Sequence, residues 1–153
     1  LSGRVLLILF TATVFGRLLV ENQIPAVIAE GMLSFTDNLY VIWTLVILFL
    51  LFVGMFMETL ATILILVPVM LPVAYSMGID PIHFGVVMVC CLGIGFQTPP
   101  LGENLFIASG ISNISIEKIS VAALPFAFIN TVAIFIIAFV PEISLWLPRF
   151  FGY

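Results

Sequence analysis

Charge is scarce in this chain of 153 residues: 8% of it is Asp, Glu, Lys or Arg, and four residues are basic. Arg4, Arg17, Lys118 and Arg149 form no basic patch in a chain of formal charge -4, so nucleic acid is not an expected partner. They are also too dispersed to fix an orientation by the positive-inside rule. Cysteine is nearly absent, and Cys90 and Cys91 are neighbours in an apolar run, which suits small buried hydrophobes better than a disulfide or a metal pair. The single histidine, His83, has no second His and no carboxylate beside it except Asp80, so it reads as structural rather than as a proton relay. Neither H-E-x-x-H nor G-x-S-x-G occurs, nor two closely spaced carboxylates inside an apolar run, so an intramembrane enzyme would lack its catalytic pair. Initiator Met and signal peptide are missing as well; the chain starts at Leu1 and is expected to be a piece of a longer protein.

What is there is apolar. Hydrophobic residues make up 63% of the chain and the mean hydropathy is +1.37, which predicts an all-α integral membrane protein with the lipid bilayer as its solvent. Residues 38–57, 59–79, 82–102 and 119–141 carry no charge, and each run matches the ~20 residues of a bilayer crossing. A fifth run, 5–20, is interrupted by Arg17, which can snorkel from near a helix end.

One stretch cannot stay helical: Gly93-Ile94-Gly95-Phe96-Gln97-Thr98-Pro99-Pro100-Leu101-Gly102. Pro99 and Pro100 have no N–H for the carbonyls of Gly95 and Phe96, and Pro99 drives Thr98 out of the helical region. In hydrocarbon such a break must face protein or a water-filled cavity. Freed carbonyls and the Thr98 hydroxyl offer oxygens to a small hard cation, and Gly102-Glu103-Asn104 opens a half-helix whose N-terminus can meet an anion. Discontinuous helices of this kind bind substrate and coupling ion in many secondary transporters.

Along the chain, residues 1–20 predict a membrane helix. Pro25, with Ile24, Val27, Ile28, Met32 and Leu33 set against Glu21, Gln23, Glu30 and Ser34, predicts a short interfacial or linking helix before residue 37. Asp37 or Asn38 can cap the next helix, which leads through Tyr40 and Trp43 to Gly54-Met55-Phe56-Met57-Glu58-Thr59 and a second apolar arm, 60–77. Either both arms cross fully and Glu58 lies in a surface turn, or the pair is a re-entrant hairpin with its tip at 54–59; length alone allows both. At mid-bilayer a carboxylate costs about 2.5–3.5 kcal/mol and would need ions or backbone donors as partners. Pro68 and Pro72 share a face of the second arm and free carbonyls that must find neighbours.

Gly78-Ile79-Asp80-Pro81 predicts a boundary in which Gly78 ends one helix, Asp80 caps the next and Pro81 takes its first position. After the break, 103–109 predicts a half-helix ending at Gly110, then a loop at 112–115, a short amphipathic segment capped by Ser115, and a last crossing over 122–140 with Asn130 as packing glue. Residues 141–153, with Trp146, Arg149, Phe150, Phe151 and Tyr153, look like an interfacial anchor.

The order Gly54-Met55-Phe56-Met57-Glu58, Pro68 and Pro72, Gly78-Ile79-Asp80-Pro81-Ile82-His83-Phe84-Gly85, then Gly95-Phe96-Gln97-Thr98-Pro99-Pro100-Leu101-Gly102 with Leu105-Phe106 resembles the C-terminal part of the large membrane subunit of TRAP transporters. These are the tripartite ATP-independent periplasmic transporters of bacteria and archaea. The resemblance implies the second inverted repeat of an elevator-type ion-transporter-superfamily fold. Its parts would be a scaffold at 1–37, a transport-domain portion at 38–110 with a re-entrant hairpin (39–77) and a broken helix (81–109), and a last helix with its tail at 111–153. It implies a sodium site on Gly54, Thr59, Gly95, Phe96 and Thr98, and substrate or transport roles for Glu58, Gln97, Thr98, Pro99, Pro100, Gly102 and Asn104. Many family members carry Asp where this chain has Glu58.

The resemblance further implies no cofactor beyond the coupling ion, and residence in the inner membrane. The implied partners are a small membrane subunit, a periplasmic substrate-binding protein and the N-terminal half of the same permease. The cargo would be an organic acid such as a C4-dicarboxylate or sialic acid. A sodium-coupled dicarboxylate symporter working without a binding protein is the alternative; a structural or assembly subunit would leave the double-proline break unexplained.

Overall fold

A computed structural model describes residues 2–35, 38–99 and 102–152. The expected cap at Asp37, the break residues Pro100 and Leu101, and the terminal Tyr153 lie outside the described residues. Among the described residues eight helices follow in order: α1 (Ser2–Glu21), α2 (Ile24–Phe35), α3 (Leu39–Gly54), α4 (Thr59–Ser76), α5 (Pro81–Gly95), α6 (Glu103–Ser112), α7 (Ile116–Phe139) and α8 (Glu142–Phe150). Among the described residues there is no strand.

Helix α5 is the centre. Its buried residues Phe84, Val87, Met88, Cys91 and Leu92 recur at helical spacing and meet Ile42, Trp43, Val46, Ile47 and Leu50 of α3, Val69, Met70 and Val73 of α4, and Ile134 and Ala138 of α7. Cys90 and Cys91 are free thiols, half-buried and buried, within this apolar packing. Helices α3 and α4 each lie against α5 more than against each other, while α1 and α2 cover α4.

The sequence rules hold where a side chain bonds locally. Asn38 caps α3 by accepting the Tyr40 N–H at 3.0 Å, and Asp80 caps α5 by accepting that of Ile82 at 2.8 Å, with Pro81 in the first turn. Gly78 ends the preceding segment at φ +70. The carbonyl that Pro68 leaves without its helical donor, on Leu64, is met by α1 at Gly16, where an added Cβ would stand 3.2 Å from that oxygen.

Three expectations change. Helix α6 runs through Gly110 to Ser112, because the left-handed position that ends it is taken by Asn113 at φ 55. The amphipathic start at Ser115 and the last crossing are one helix, α7, continuous through Pro125, and Ser115 makes no side-chain cap bond. Helices α3 and α5 have 16 and 15 residues, shorter than the uncharged runs that hold them. Among the described residues, α4 and α7 are long and apolar enough to cross a membrane by length and composition.

Candidate functional site

The site is built where α3 ends. From Gly54 the chain turns through Met55 and Phe56, whose N–H groups bond back to the carbonyls of Phe52 and Val53, and re-enters a helix at Thr59. Glu58 is the cap of that helix. One carboxylate oxygen accepts the N–H of Leu60 and the other that of Ala61, both at 3.0 Å, so the N-terminus of α4 carries its own anion. Below it, the fully buried Thr62 hydroxyl donates to the Glu58 carbonyl at 2.8 Å. Thr62 was not singled out by spacing, because a threonine bonded inside its own helix leaves no pattern in sequence.

Opposite this tip lies the end of α5. A Cβ built on Gly95 would stand 2.7 Å from both Cα and O of Gly54, and one built on Gly54 would stand 2.9 Å from Cα of Leu92. Two helix ends therefore touch backbone to backbone, at a distance only glycine permits.

Past Gly95 the chain leaves the helix, and the carbonyls that the prolines cannot serve find other donors. The Gly95 carbonyl accepts the Thr98 N–H at 3.0 Å, the Phe96 carbonyl that of Asn104 at 3.2 Å, and the Thr98 carbonyl that of Gly102 at 3.2 Å. Gly102 is buried, and a Cβ there would lie 2.5 Å from the Phe96 oxygen, so it too must be glycine. The Thr98 hydroxyl donates to the Ile94 carbonyl at 2.8 Å, which leaves its lone pairs free. Gln97 and Asn104 are exposed beside it.

Of the expected residues, Gly54 and Gly95 are brought into contact, and Phe96, Thr98, Gly102 and Asn104 are bonded into one loop. Thr59 opens α4 at the facing tip, half-buried, Pro99 lies in the turn, and Pro100 is outside the described residues. Carbonyl oxygens carry two lone pairs, so each of these carbonyls keeps one after its backbone bond. The donor set is all oxygen and suits a small hard cation. The glycines are what let the two helix ends come this close.

At the other end of α5, His83 is buried. Its Nδ1 lies 2.5 Å from Ser144 Oγ of α8 and its Nε2 lies 3.1 Å from the Ala138 carbonyl of α7. A carbonyl only accepts, so the ring carries its proton on Nε2. Trp43 Nε1 of α3 donates to the same carbonyl at 3.0 Å. His83 thus ties α5 to α7 and α8, and Trp43 brings in α3 through the shared carbonyl, so both imidazole nitrogens are engaged in packing contacts.

A helical hairpin tip resting on a proline-broken helix is the arrangement expected from the likeness to large TRAP permeases. The family model for the tripartite ATP-independent periplasmic transporter, DctM component, matches residues 1–143. The chain belongs to this family. It is 41% identical over 151 residues, 99% of this chain and 23% of the relative, to the isethionate TRAP transporter permease protein DctMQ of Oleidesulfovibrio alaskensis. To the sialic acid TRAP transporter large permease protein SiaM of Vibrio cholerae it is 39% identical over 150 residues, 97% of this chain and 35% of that one. To the C4-dicarboxylate TRAP transporter large permease protein DctM of the same organism it is 38% identical over 148 residues, 97% of this chain and 33% of that one. The chain thus spans about a quarter to a third of the length of the curated relatives it matches. These DctM-family relatives are transporter permeases, not enzymes.

Proposed function

We propose that this chain is the C-terminal portion of the large membrane subunit of a sodium-coupled TRAP transporter. The transporter would sit in the inner membrane of a bacterium or archaeon and import an organic acid handed over by a periplasmic binding protein. The chain supplies the second inverted repeat of an elevator-type transport domain. Its cargo is a carboxylate of the C4-dicarboxylate or sialic acid kind, and its partners are the rest of the permease and a small membrane subunit.

The observation that carries this reading is the backbone contact of Gly54 with Gly95. It sets a hairpin tip against a broken helix with no side chain between the two backbones, and the Thr98 hydroxyl follows three residues further along the break. The re-entrant form is taken from the family likeness, because the second arm, α4, is long enough to cross while the first arm and the broken helix are short. At ~1.5 Å per residue, helices of 16 and 15 residues span roughly 24 and 22 Å, short of the ~30 Å hydrocarbon core. Sodium is held by oxygens of Gly54, Thr59, Gly95, Phe96 and Thr98. Asn104, with the N-terminus of α6 behind Gly102, faces the carboxylate, while Gln97 turns its amide back toward the Gly93 carbonyl. Glu58 acts by holding the N-terminal turn of α4 at the tip.

The test is uptake of labelled organic acids into proteoliposomes holding the full-length permease and its small subunit, with binding protein outside and a sodium gradient on or off. Uptake that requires both, with weakened sodium dependence in Thr98→Ala, is expected. Uptake indifferent to the binding protein would move the assignment to a stand-alone symporter.

A further inference from the structure

Helix α7 carries two polar side chains in its middle, and they are not alike. Thr131 spends its hydroxyl on the Ala127 carbonyl at 2.8 Å. The Asn130 carboxamide has no side-chain hydrogen bond among the described residues, and its polar atoms stay open to the surroundings. It is half-buried beside the stripe Ala127, Ile134 and Ala138 that packs toward α5. With Cys90, Gly93 and Gln97 it lines an open groove of about 310 Å³ between the two helices, whose remaining walls are apolar. Gln97 Nε2 reaches the Gly93 carbonyl at 3.5 Å, the limit of a bond, so two carboxamides and a weakly served carbonyl face one space.

A carboxamide left unpaired in hydrocarbon costs several kcal/mol on alkane-transfer scales. Lipid tails cannot meet that demand, and no side chain among the described residues does. Water can: the groove far exceeds the roughly 30 Å³ a water occupies in the liquid, and it offers the two to four polar partners a fixed water needs. The groove also ends at the first residues of the break, since Gln97 lies between Phe96 and Thr98.

We propose that this groove is a hydrated side chamber of the break, kept wet by Asn130 and Gln97, through which a cation held at residues 95–98 sheds and regains its water. The exchange role rests on the sodium site of the preceding section; the chamber itself does not. Asn130 is then a positioning residue, holding water against the back of the site rather than touching the ion.

The test uses the full-length permease with its small subunit in lipid nanodiscs, so that both membrane faces meet the reagent, with Cys90 and Cys91 replaced by Ala. Asn130→Cys and Ala133→Cys are each exposed to a quaternary-ammonium thiosulfonate, which reacts with thiols in water. Both are expected to react within about tenfold of the exposed Ser112→Cys, and saturating sodium slows the Asn130→Cys reaction severalfold without changing that of Ser112→Cys. Adding Asn130→Leu to Ala133→Cys should cut its reactivity at least tenfold while the complex stays monodisperse. Modification by N-ethylmaleimide but not by the charged reagent at both groove positions overturns the chamber. Reactive cysteines that ignore sodium in a complex whose uptake is sodium-driven overturn the exchange role. Loss of sodium-driven uptake in the unmodified protein would instead strike the sodium reading, and the labelling would still decide whether the chamber is wet.

Discussion

A methyl group on Gly95 has nowhere to go except into the backbone of Gly54. The overlap is with main-chain atoms that no rotamer change can move, so Gly95→Ala must push the hairpin tip off the broken helix. The expected cost is about 3 kcal/mol or more, at the upper end of overpacking, seen as a lower melting temperature in detergent and a weaker response of stability to added sodium. Gly110→Ala is the matched contrast. It lies inside α6 with nothing within 4 Å of the added carbon, so the same chemical change is expected to stabilise by up to ~1 kcal/mol. Glu58 allows a second test at this scale. Glu58→Ala removes both acceptors from the first turn of α4 and should cost ~0.5–2 kcal/mol. Glu58→Asp, the residue many family members carry, keeps a capping carboxylate and should lose less in a thermal melt. A larger loss of uptake than of stability in Glu58→Ala would give the carboxylate a part in transport beyond the cap.

Between elements, the Ala138 carbonyl belongs to the last turn of α7, where intrahelical donors run out. Trp43 and His83 supply them from α3 and α5. His83→Ala removes a buried partner from Ser144 and Ala138 and is expected to destabilise by ~1–3 kcal/mol. Trp43→Phe should cost less, because His83 still serves the carbonyl. Since α5 places His83 at one end and the break at the other, about 20 Å apart along the helix axis, substrate KM should stay near wild type in both; a large KM change would show that this tie reaches the transport site. None of the tie could be read from the sequence. His83 has no charged neighbour in the chain apart from Asp80, and the ring's partners come from residues 138 and 144, with Trp43 beside it, which only packing brings together. The boundaries that were legible are those signalled by local chemistry: Gly78, Asp80 and Pro81, the Asn38 cap, and the double proline. The continuity of α7 was not, because Pro125 in a helix can mean a kink or a stop, and the outcome depends on whether neighbours serve the freed carbonyl. The contact of Gly54 with Gly95 follows from family resemblance and not from spacing, because two turns, all of α4 and most of α5 separate the two in the chain.

At the scale of the molecule, the packed layer of α3, α4, α5 and α7 has large apolar residues on its outside, with Phe128 71% exposed on α7 and Phe52 60% exposed on α3. An aqueous solvent would not tolerate that surface in a monomer, and lipid or further protein must cover it. Which of the two covers each helix bears directly on activity. In the two-repeat reading, an ion leaving one hairpin tip and one broken helix needs the facing pair from the other repeat to close the site over it, and a single pair leaves the oxygens of Gly95 and Thr98 open on one side. The 153-residue chain reconstituted by itself should therefore insert into liposomes and show no sodium-driven uptake of C4-dicarboxylate or sialic acid, whether or not binding protein is present. The full-length permease with its small subunit should restore uptake in the same assay. The chain alone should also bind sodium more weakly than the full-length protein, which sodium-dependent thermal shifts would measure. Uptake by the isolated chain, or equal sodium affinity in the two, would mean that one repeat forms a closed site without the other, and the elevator reading would have to give way to a transport unit assembled from copies of this half.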